Sequence, residues 1–344
     1  MFVLVAAPLT ALAACGGASA PSEPPTDTTA IVLRHKFSEG EARRYRCEMR
    51  TRHMELAPGT KTSAVADAAA SPSVADLLAL APKIEGVAGC EDSAVQDVVV
   101  LEEELCHGVD AERADVSYRC VSCEVDTYRD GTSIYSYDTR EALREMSVFS
   151  SARGKLNELF EPIRYLIDSE MRIHSVSLPD SLSYSDKAVV ESSYRKALES
   201  RYQSFFPAQA VKPGDTWSGT VPINEGMAPA ALKLADLDYV VTARHAGYEK
   251  RAERWCAVID VEMRLGEADG VALRADTHLK LCVDTLLGTS RIWFDYTEGM
   301  PVLEESRLHI GFRREFVQTP GVPSRPARVE QLIRTAWVDP AAAD

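Results

Sequence analysis

The sequence predicts an α+β chain dominated by an antiparallel, curved β-sheet or half-barrel, with one or two covering helices. Three observations lead to this fold class. Several long segments alternate apolar and polar residues, as half-buried strands do. Turn sequences such as Asp130-Gly131 separate neighbouring segments, as in β-hairpins. One stretch carries apolar residues at steps of four, which is typical of a helix lying against a sheet.

Composition narrows the classes of protein to consider. The 344 residues include 38 Lys and Arg against 52 Asp and Glu, so the formal net charge is 38 minus 52, or -14. Because phosphate binding needs a basic surface, this balance argues against nucleic acid as a partner. With 45% hydrophobic and 26% charged residues, the chain has the composition of an ordinary globular protein.

The first fourteen residues form an uncharged, mostly apolar run, MFVLVAAPLTALAA. It is shorter than the roughly 20 residues that a membrane-spanning helix needs, so residues 1–14 are predicted to be a signal peptide. The run ends in Leu12-Ala13-Ala14-Cys15, which resembles the lipobox of bacterial lipoproteins. The resemblance implies a diacylglyceryl group on Cys15, cleavage before it, and acylation of the new amino terminus, for example with palmitate. The mature protein would then be a membrane-anchored lipoprotein of the bacterial cell envelope or periplasm.

The residues that follow Cys15 are rich in Gly, Ser, Pro, Thr and Ala. Such a composition predicts a flexible tether over residues 15–30 that holds a folded body away from the membrane. Gly16 stands where the similar inner-membrane lipoproteins carry Asp, so the resemblance favours the outer membrane.

The body is predicted over residues 31–320, and its first half spans residues 31–180. Strict alternation over residues 45–53 indicates a strand. Residues 57–93 break the pattern and are predicted to be a surface insertion with a short helix near Val74. Alternation then resumes in a meander, with predicted strands at residues 94–105, 116–127, 132–137 and, as a strand pair, 163–176.

A helix is predicted between the two halves, over residues 183–206. Ser183 and Asp186 have the spacing of a capping box at its start, and Pro207 ends it. Its apolar stripe consists of Val190, Tyr194, Leu198 and Tyr202. This spacing is explained by packing on a sheet.

The second half, residues 208–320, contains the clearest alternation. Residues 254–265 and 271–283 are separated by a short Gly-rich turn, so they are predicted to form an antiparallel hairpin. Residues 288–296 and 300–312 form the next one, and residues 321–344 are expected to be a C-terminal tail. The strand–acidic turn–strand pattern of residues 160–178 returns in residues 288–308, which suggests a duplicated unit.

The order of these elements, with the turn Pro213-Gly214-Asp215-Thr216-Trp217, resembles lipid-anchored β-rich envelope proteins and, more distantly, periplasmic half-barrel carriers of lipoproteins or lipids. The resemblance implies a hydrophobic ligand or an envelope protein as partner. In a half-barrel, the inward residues would line either a pocket or a filled core. These residues are Trp255, Ile259, Val261, Leu273, Leu279, Trp293 and Phe294.

Seven cysteines remain in the body once Cys15 is set aside, so at least one has no intrachain partner. Cys256 and Cys282 lie on the polar face of the predicted hairpin and could form a disulfide if they face each other directly. Cys120 and Cys123 form a CxxC within a predicted strand. Regular alternation would put their thiols on opposite faces, about 10 Å apart, which excludes a shared bond or metal.

No motif of a cofactor site, a metal site or a catalytic nucleophile is present. The seven His residues are scattered, and the acidic run Glu102-Glu103-Glu104 beside His107 suits a solvated strand end better than a general base. The sequence therefore favours non-enzymatic binding of a hydrophobic ligand or an envelope protein. A secreted hydrolase with dispersed catalytic residues and a purely structural surface protein are the alternatives.

Overall fold

A computed structural model of the chain describes residues 26, 28–60, 62, 73–79, 90–110, 113–129, 131–139, 161–168, 172–180, 191, 195, 206–207, 209–222, 238–265, 272–274, 279–316 and 324–339. The predicted signal peptide, Cys15 and most of the predicted tether lie outside this set. The same is true of most of the predicted helix 183–206.

In the described part of the chain, thirteen strands form one antiparallel sheet that does not close, which confirms the predicted fold class. Their bounds follow the alternating segments. The strands are β1 (Ala42–Leu56), β2 (Cys90–Val109), β3 (Arg113–Arg129), β4 (Thr132–Asp138), β5 (Ile163–Asp168), β6 (Ile173–Ser177), β7 (Thr216–Pro222), β8 (Asp238–Arg251), β9 (Arg254–Leu265), β10 (Ala272–Arg274), β11 (Leu279–Asp295), β12 (Met300–Phe316) and β13 (Arg325–Val338).

The sheet has two wings that meet at its centre. From one edge to the other the order is β6-β5-β3-β2-β1-β13-β12-β11-β9-β8-β7, with β4 beside β3 and β10 beside β11. The first wing consists of β1 to β6 and extends from the centre of the sheet to one edge. The second wing consists of β7 to β12 and extends from the other edge back to the centre. Strand β13 lies between them and pairs with both β1 and β12. The first and last strands of the described chain are therefore neighbours.

The register defines two faces of the sheet. Directly opposed residues on adjacent strands share a face, so one continuous row can be followed across nine strands. It consists of Tyr137, Val125, Val98, Met49, Ile333, Ser306, Ser290, Val261 and Ala243. Most of these side chains are buried, and this side is called the core face.

The adjacent row lies on the opposite side, called the charged face. Its residues alternate in sign across six neighbouring strands, in the order Glu48, Arg334, Glu305, Arg291, Asp260 and Arg244. Arg334 contacts Glu48 at 3.4 Å and Glu305 at 3.6 Å, and Arg291 contacts Asp260 at 2.6 Å. Exposed pairs of this kind contribute about 1 kcal/mol or less each, but together they disfavour a slipped register.

Three apolar clusters occupy the core face. The largest belongs to the second wing and includes Ile259, Ile292 and Phe294. A second, around Met49 and Val98, lies on β1, β2 and β3, and a third lies at the outer edge of the first wing, around Tyr165. Most of the described apolar interior is thus a set of clusters along the core face, and a smaller cluster around Val258 and Trp293 lies on the charged face.

The predicted short helix is confirmed as α1 (Val74–Ala79), and it packs near β1, β12 and β13. Ser73 Oγ accepts a hydrogen bond from the Asp76 amide at 3.1 Å, as an N-cap does. Arg50 joins the helix to the sheet, because its guanidinium donates to the Leu77 carbonyl at 3.0 Å and to Asp97 at 2.7 Å.

Three residues of the predicted helix 183–206 are described; Phe206 lies in a bend, whereas Glu191 and Arg195 are helical. They form an i,i+4 ion pair at 3.6 Å. Arg195 also donates to the carbonyl of Ile173 at 3.2 Å, which places this part of the chain against β6.

Two expectations about connectivity are wrong. Residues 321–344, expected to be a tail, contain β13 at the centre of the sheet. Residues 254–265 and 271–283 do not form a hairpin with each other, because β9 pairs with β8 and β11, whereas β10 pairs with the start of β11. The two proposed repeat segments also differ in place, since one forms the β5–β6 edge and the other the central β11–β12 hairpin.

Candidate functional site

An extended segment, residues 31–36, crosses one end of the core face. Its side chains alternate between buried and exposed positions; the buried ones are Ile31, Leu33 and His35, and the exposed ones are Val32, Arg34 and Lys36. Ile31 and Leu33 belong to the cluster of the second wing. The segment therefore acts as a cover for that cluster.

Backbone contacts hold the segment at both ends. Ile31 and Val211 exchange two backbone hydrogen bonds of 2.8 Å. At the other end the Lys36 amide donates to the Gly299 carbonyl at 3.2 Å, and Lys36 Nζ donates to the Thr297 carbonyl at 2.6 Å. Arg43 donates to the Lys36 carbonyl at 3.2 Å. The segment is thus attached to the turn between β11 and β12 and to β1.

Gly299 permits this close approach. Its φ is +70°, and an added Cβ would lie 2.6 Å from Lys36 Cγ and 2.7 Å from the Arg34 carbonyl oxygen. A side chain here would clash with the segment and strain the backbone.

A cleft of about 380 Å³ opens beside the segment. It is called the N-terminal cleft, and its lining residues are Ile31, Val32, Arg34, His35, Lys36 and Tyr296. The volume lies at the lower end of the range for small-molecule sites, about 300–1,000 Å³. Apolar side chains and two cationic ones thus meet in one concave surface.

His35 forms the floor of this region with two aromatic rings. Its ring lies 5.1 Å from that of Phe206 and 5.5 Å from that of Phe294, in both cases edge to face. Such pairs favour a fixed ring geometry. The position of His35 in the lining of the N-terminal cleft is therefore fixed by its packing against these two rings.

A buried acid–base cluster lies next to the attachment at Lys36. Arg43 is 1% exposed and contacts Glu41 at 3.1 Å, and it faces Glu104 across the β1–β2 ladder. Burial, together with the nearby carboxylates Glu298 and Glu104, raises the pKa of Glu41 to about 7, although Arg43 opposes the shift. The Arg43 guanidinium thus lies close to Glu41 and on the strand position opposite Glu104.

A polar seam divides the core face at its centre. The Glu304 carboxylate accepts hydrogen bonds from Ser306 at 2.9 Å and from Ser290 at 3.1 Å. Nearby, the Gln331 amide donates to Thr51 Oγ1 at 3.2 Å. These side chains are buried and satisfy one another, which is the condition for placing polar groups in a core.

The predicted pocket residues do not line one cavity. Ile259, Val261 and Phe294 are at most 2% exposed and pack in the cluster of the second wing, so they form filled core. Trp293 points to the charged face, because it pairs with Val258 in a separate cluster. Trp255 is half-buried. For Leu273 and Leu279 only the strand position is described.

Trp293 has a polar environment of its own at the end of the charged face. Its indole Nε1 donates to Glu249 at 2.7 Å, and the Arg251 guanidinium lies 4.6 Å from the ring centre. Trp293 is only 4% exposed, and these contacts give its indole N–H and its ring face polar partners within the structure. These contacts near the β8–β9 turn give Trp293 a structural role, and it does not line the N-terminal cleft.

The expected disulfide between Cys256 and Cys282 is wrong. Cys282 lies near the start of β11, opposite Arg313 and Ala272. Cys256 precedes Ala257, which faces Phe294 near the other end of β11. The two cysteines are thus separated by most of the length of a 17-residue strand, far beyond bonding reach.

The prediction that Cys120 and Cys123 lie on opposite faces is also wrong. A β-bulge in β3 leaves Val121 without a partner, so that Cys120 faces Glu102 and Cys123 faces Val100. Glu102 and Val100 are two positions apart on β2 and share a face. Both thiols therefore lie on the core face.

The expectation that the acidic run beside His107 is a solvated strand end is wrong, because Glu102 and Glu104 are at most 1% exposed. Glu102 accepts a hydrogen bond from Tyr118 at 2.6 Å, and Glu103 contacts Arg44 at 2.9 Å. His107 Nε2 lies 2.8 Å from Ser117 Oγ. Among the described residues, no three His, Cys, Asp or Glu side chains come together as a metal would require.

Sequence reasoning missed the N-terminal cleft, although a signal was present. Residues 31–36 alternate apolar and polar, with His35 on the apolar side, which is the pattern of a half-buried strand. The partner of this segment was not visible, because Val211 and Gly299 are far away in sequence.

The fold and the cleft define a β-sheet protein with an amphipathic site at the edge of its core. No described helix has the length and apolarity to cross a membrane. No protein-family model matches the chain, and no curated protein matches its sequence.

Among solved structures, the chain is similar to one titled "Lipid-protein interactions in lipovitellin", with a TM-score of 0.42 and 12% identity. The likeness covers 88% of this chain and 26% of that one, so the chain spans about a quarter of that protein. It is also similar to the outer membrane channel DcaP of Acinetobacter baumannii, with a TM-score of 0.15, 5% identity, and coverage of 89% and 100%. Neither score is high enough to assign a fold family or a ligand.

Proposed function

We propose that the protein is a lipid-anchored envelope protein that binds an amphipathic ligand, with an apolar part and an anionic group, in the N-terminal cleft. Binding is proposed to be non-enzymatic. The observation that carries the proposal is the cleft itself, where Ile31, Val32 and Tyr296 lie beside Arg34 and Lys36. For an envelope protein, the other partner expected from the sequence, the described residues show no comparable site.

Volume and charge indicate the class of ligand. About 380 Å³ is enough for one acyl chain or one aromatic group, but not for a lipid with several chains. Two cationic side chains in a chain of net charge -14 favour a carboxylate or a phosphate at the mouth of the cleft. A fatty acid and a single-chain phospholipid share this chemistry.

The place of the cleft in the chain also supports the proposal. Ile31 follows directly on the proposed tether, residues 15–30. Sixteen flexible residues have a root-mean-square reach of about 20–24 Å and extend to about 55 Å at most. A body held by acylated Cys15 would therefore keep the cleft within reach of the membrane surface, where such ligands are found.

Displacement of a fluorescent fatty acid from the purified protein tests the ligand site. The variant R34Q/K36Q should bind the anionic probe about tenfold more weakly, because each exposed charge contributes roughly 0.7 kcal/mol. Its affinity for a neutral monoacylglycerol should stay the same. The matched control K250Q/R264Q removes two exposed cations from other strands and should change neither affinity. Wild-type protein that binds neither probe would refute the proposal.

Intact mass and membrane fractionation in a bacterial host test the anchor. The wild type should lose residues 1–14, carry acyl groups on Cys15 and sediment with membranes. The variant Cys15→Ser should be found in the soluble fraction with an unmodified serine. Wild-type protein that retains Met1 would overturn the anchor without affecting the test of the cleft.

A secreted hydrolase is the second candidate, and the contact between His107 and Ser117 favours it. An imidazole nitrogen 2.8 Å from a hydroxyl is within the range of a base and its nucleophile. The test is hydrolysis of a p-nitrophenyl ester by the purified protein. Turnover that disappears in Ser117→Ala but not in Ser122→Ala would support this candidate over the carrier.

A further inference from the structure

We propose that Cys120 and Cys123 form a reversible intrachain disulfide on the core face of β3. In the reaction two thiols are oxidised to one disulfide, and two electrons and two protons pass to a disulfide oxidant such as glutathione disulfide, which leaves as two glutathione thiols. The inference is independent of the proposed ligand. It uses the proposed export of the chain only as a source of oxidising conditions.

The first argument is the distance set by the bulge. Cys120 and Cys123 face Glu102 and Val100, which are two positions apart on β2. Two positions along an antiparallel strand span about 6.8 Å, and strong twist shortens this distance. Bulges increase the local twist. The Cα separation therefore falls at or below the upper end of the range for disulfides, about 4.4–6.8 Å.

The second argument is the freedom of the outer edge of β3 at this point. On that side β5 pairs with Arg113–Tyr118, and β4 pairs with Glu124–Arg129. Residues 119–123 lie between them and have no ladder partner on this edge among the described strands. The Cys123 amide instead donates to Thr139 Oγ1 at 3.0 Å. Formation of a disulfide here would not break the pairing of β3 with β4 or with β5.

The third argument is the electrostatic influence of the Cys123 thiol on Cys120, which requires the two groups to be close. Burial, and then the charge of Cys123, raise the pKa of Cys120 to about 12. Burial also raises the pKa of Cys123, with nearby Asp138 and Glu102 adding to the shift. Both thiols are thus protonated near neutral pH, so exchange should be slow and should accelerate as the pH rises.

Peptide mapping tests the disulfide directly. The reduced full-length chain is incubated with glutathione disulfide at pH 8.5, quenched with N-ethylmaleimide and digested with trypsin. Cleavage after Arg119 and Arg129 releases the peptide CVSCEVDTYR, which contains both cysteines and no other. We expect it to be two hydrogen atoms lighter than the dithiol form and free of maleimide in most molecules.

A variant and a matched control complete the design. Cys123→Ser should lose the closed form and carry glutathione or maleimide on Cys120. Cys90→Ser, which removes another half-buried cysteine from a strand, should keep the closed form. A wild-type peptide that carries two maleimides at every ratio of glutathione disulfide, or that is linked to another cysteine peptide, would overturn the proposal. The wild-type map decides even if a variant fails to fold.

Discussion

Glu41 is a buried carboxylate in a neighbourhood with more acidic than basic groups. Only 8% of the residue is exposed, and the charges of Glu298 and Glu104 oppose the effect of its contact with Arg43. Desolvation of the charged form outweighs this contact, which is why the pKa rises to about 7. The same Arg43 donates to Lys36, so a titrating group lies one contact away from the N-terminal cleft.

We predict that Glu41 makes the protein more stable in mild acid. Because its pKa rises from 4.5 to about 7 on folding, its contribution is complete below about pH 4.5 and is lost as the pH rises through 7. Between pH 8 and pH 5 the wild type should gain about 2 kcal/mol in unfolding free energy relative to Glu41→Gln. Urea unfolding of both proteins at several pH values measures this difference. Parallel pH profiles would contradict the assignment.

Gly299 allows a matched comparison with Gly131. Both have a positive φ, of 70° and 75°, but only at Gly299 would an added Cβ meet other atoms. Gly131→Ala should cost about 1 kcal/mol in stability, from backbone strain alone. Gly299→Ala should cost about 2 kcal/mol more and should weaken probe binding in the cleft. Thermal unfolding and probe titration measure both effects. Equal losses in the two variants would mean that segment 31–36 does not press on Gly299.

At the scale of elements, the position of a strand in the sequence is easier to predict than the strand with which it pairs. The alternating segments over residues 45–53, 94–105 and 116–127 each lie within an observed strand, since alternation depends only on which face is buried. Partners depend on contacts far away in sequence. The sequence therefore predicted strand β9 correctly but assigned it the wrong neighbour.

The candidate site and the cysteine pair show the same contrast between local pattern, which is predictable, and contacts made only by the fold, which are not. Cys120 and Cys123 follow a strand pattern that predicts opposite faces, and a single extra residue, Val121, reverses that result. Bulges have no clear sequence signal in the absence of a Gly or Pro. The N-terminal cleft was missed because its walls, segment 31–36 and Tyr296, are brought together only by the fold.

The turn between β8 and β9 offers a stabilising change. Ala252 and Glu253 have φ values of 45° and 62°, the positive region that two-residue hairpin turns require. Asn followed by Gly adopts this geometry with less strain. A252N/E253G should therefore raise Tm by about 2–4 °C, measured by calorimetry. A lower Tm would show that the side chain of Glu253, which contacts Lys250, matters more than the backbone.

At the scale of the whole molecule, β13 is the strand that joins the two wings. It pairs with β1 over one edge and with β12 over the other. Its buried side chains include Val329, Gln331 and Thr335, and Gln331 belongs to the polar seam of the core face. Without it the wings would share far fewer hydrogen bonds and would present two open edges.

Truncation tests this role. A chain that ends at residue 320 lacks β13, and we expect it to lose cooperative unfolding and to become sensitive to protease. A chain that ends at Asp339 keeps every described residue and should unfold like the full-length protein. Urea transitions and limited proteolysis distinguish the two. Cooperative folding of the shorter chain would show that the wings are stable without their central strand.

If the chain is exported as proposed, the pairing of β1 with β13 would also set an order of events during its export. Arg44 faces Val338, 294 positions later. A polypeptide threaded across a membrane amino end first would expose the inner edge of β1 long before its partner emerges. Until then the two wings would remain separate sheets in one chain, each with an unpaired edge strand that another chain could pair with. Insertion of β13 between β1 and β12 would pair both edges at once and so remove this risk of aggregation.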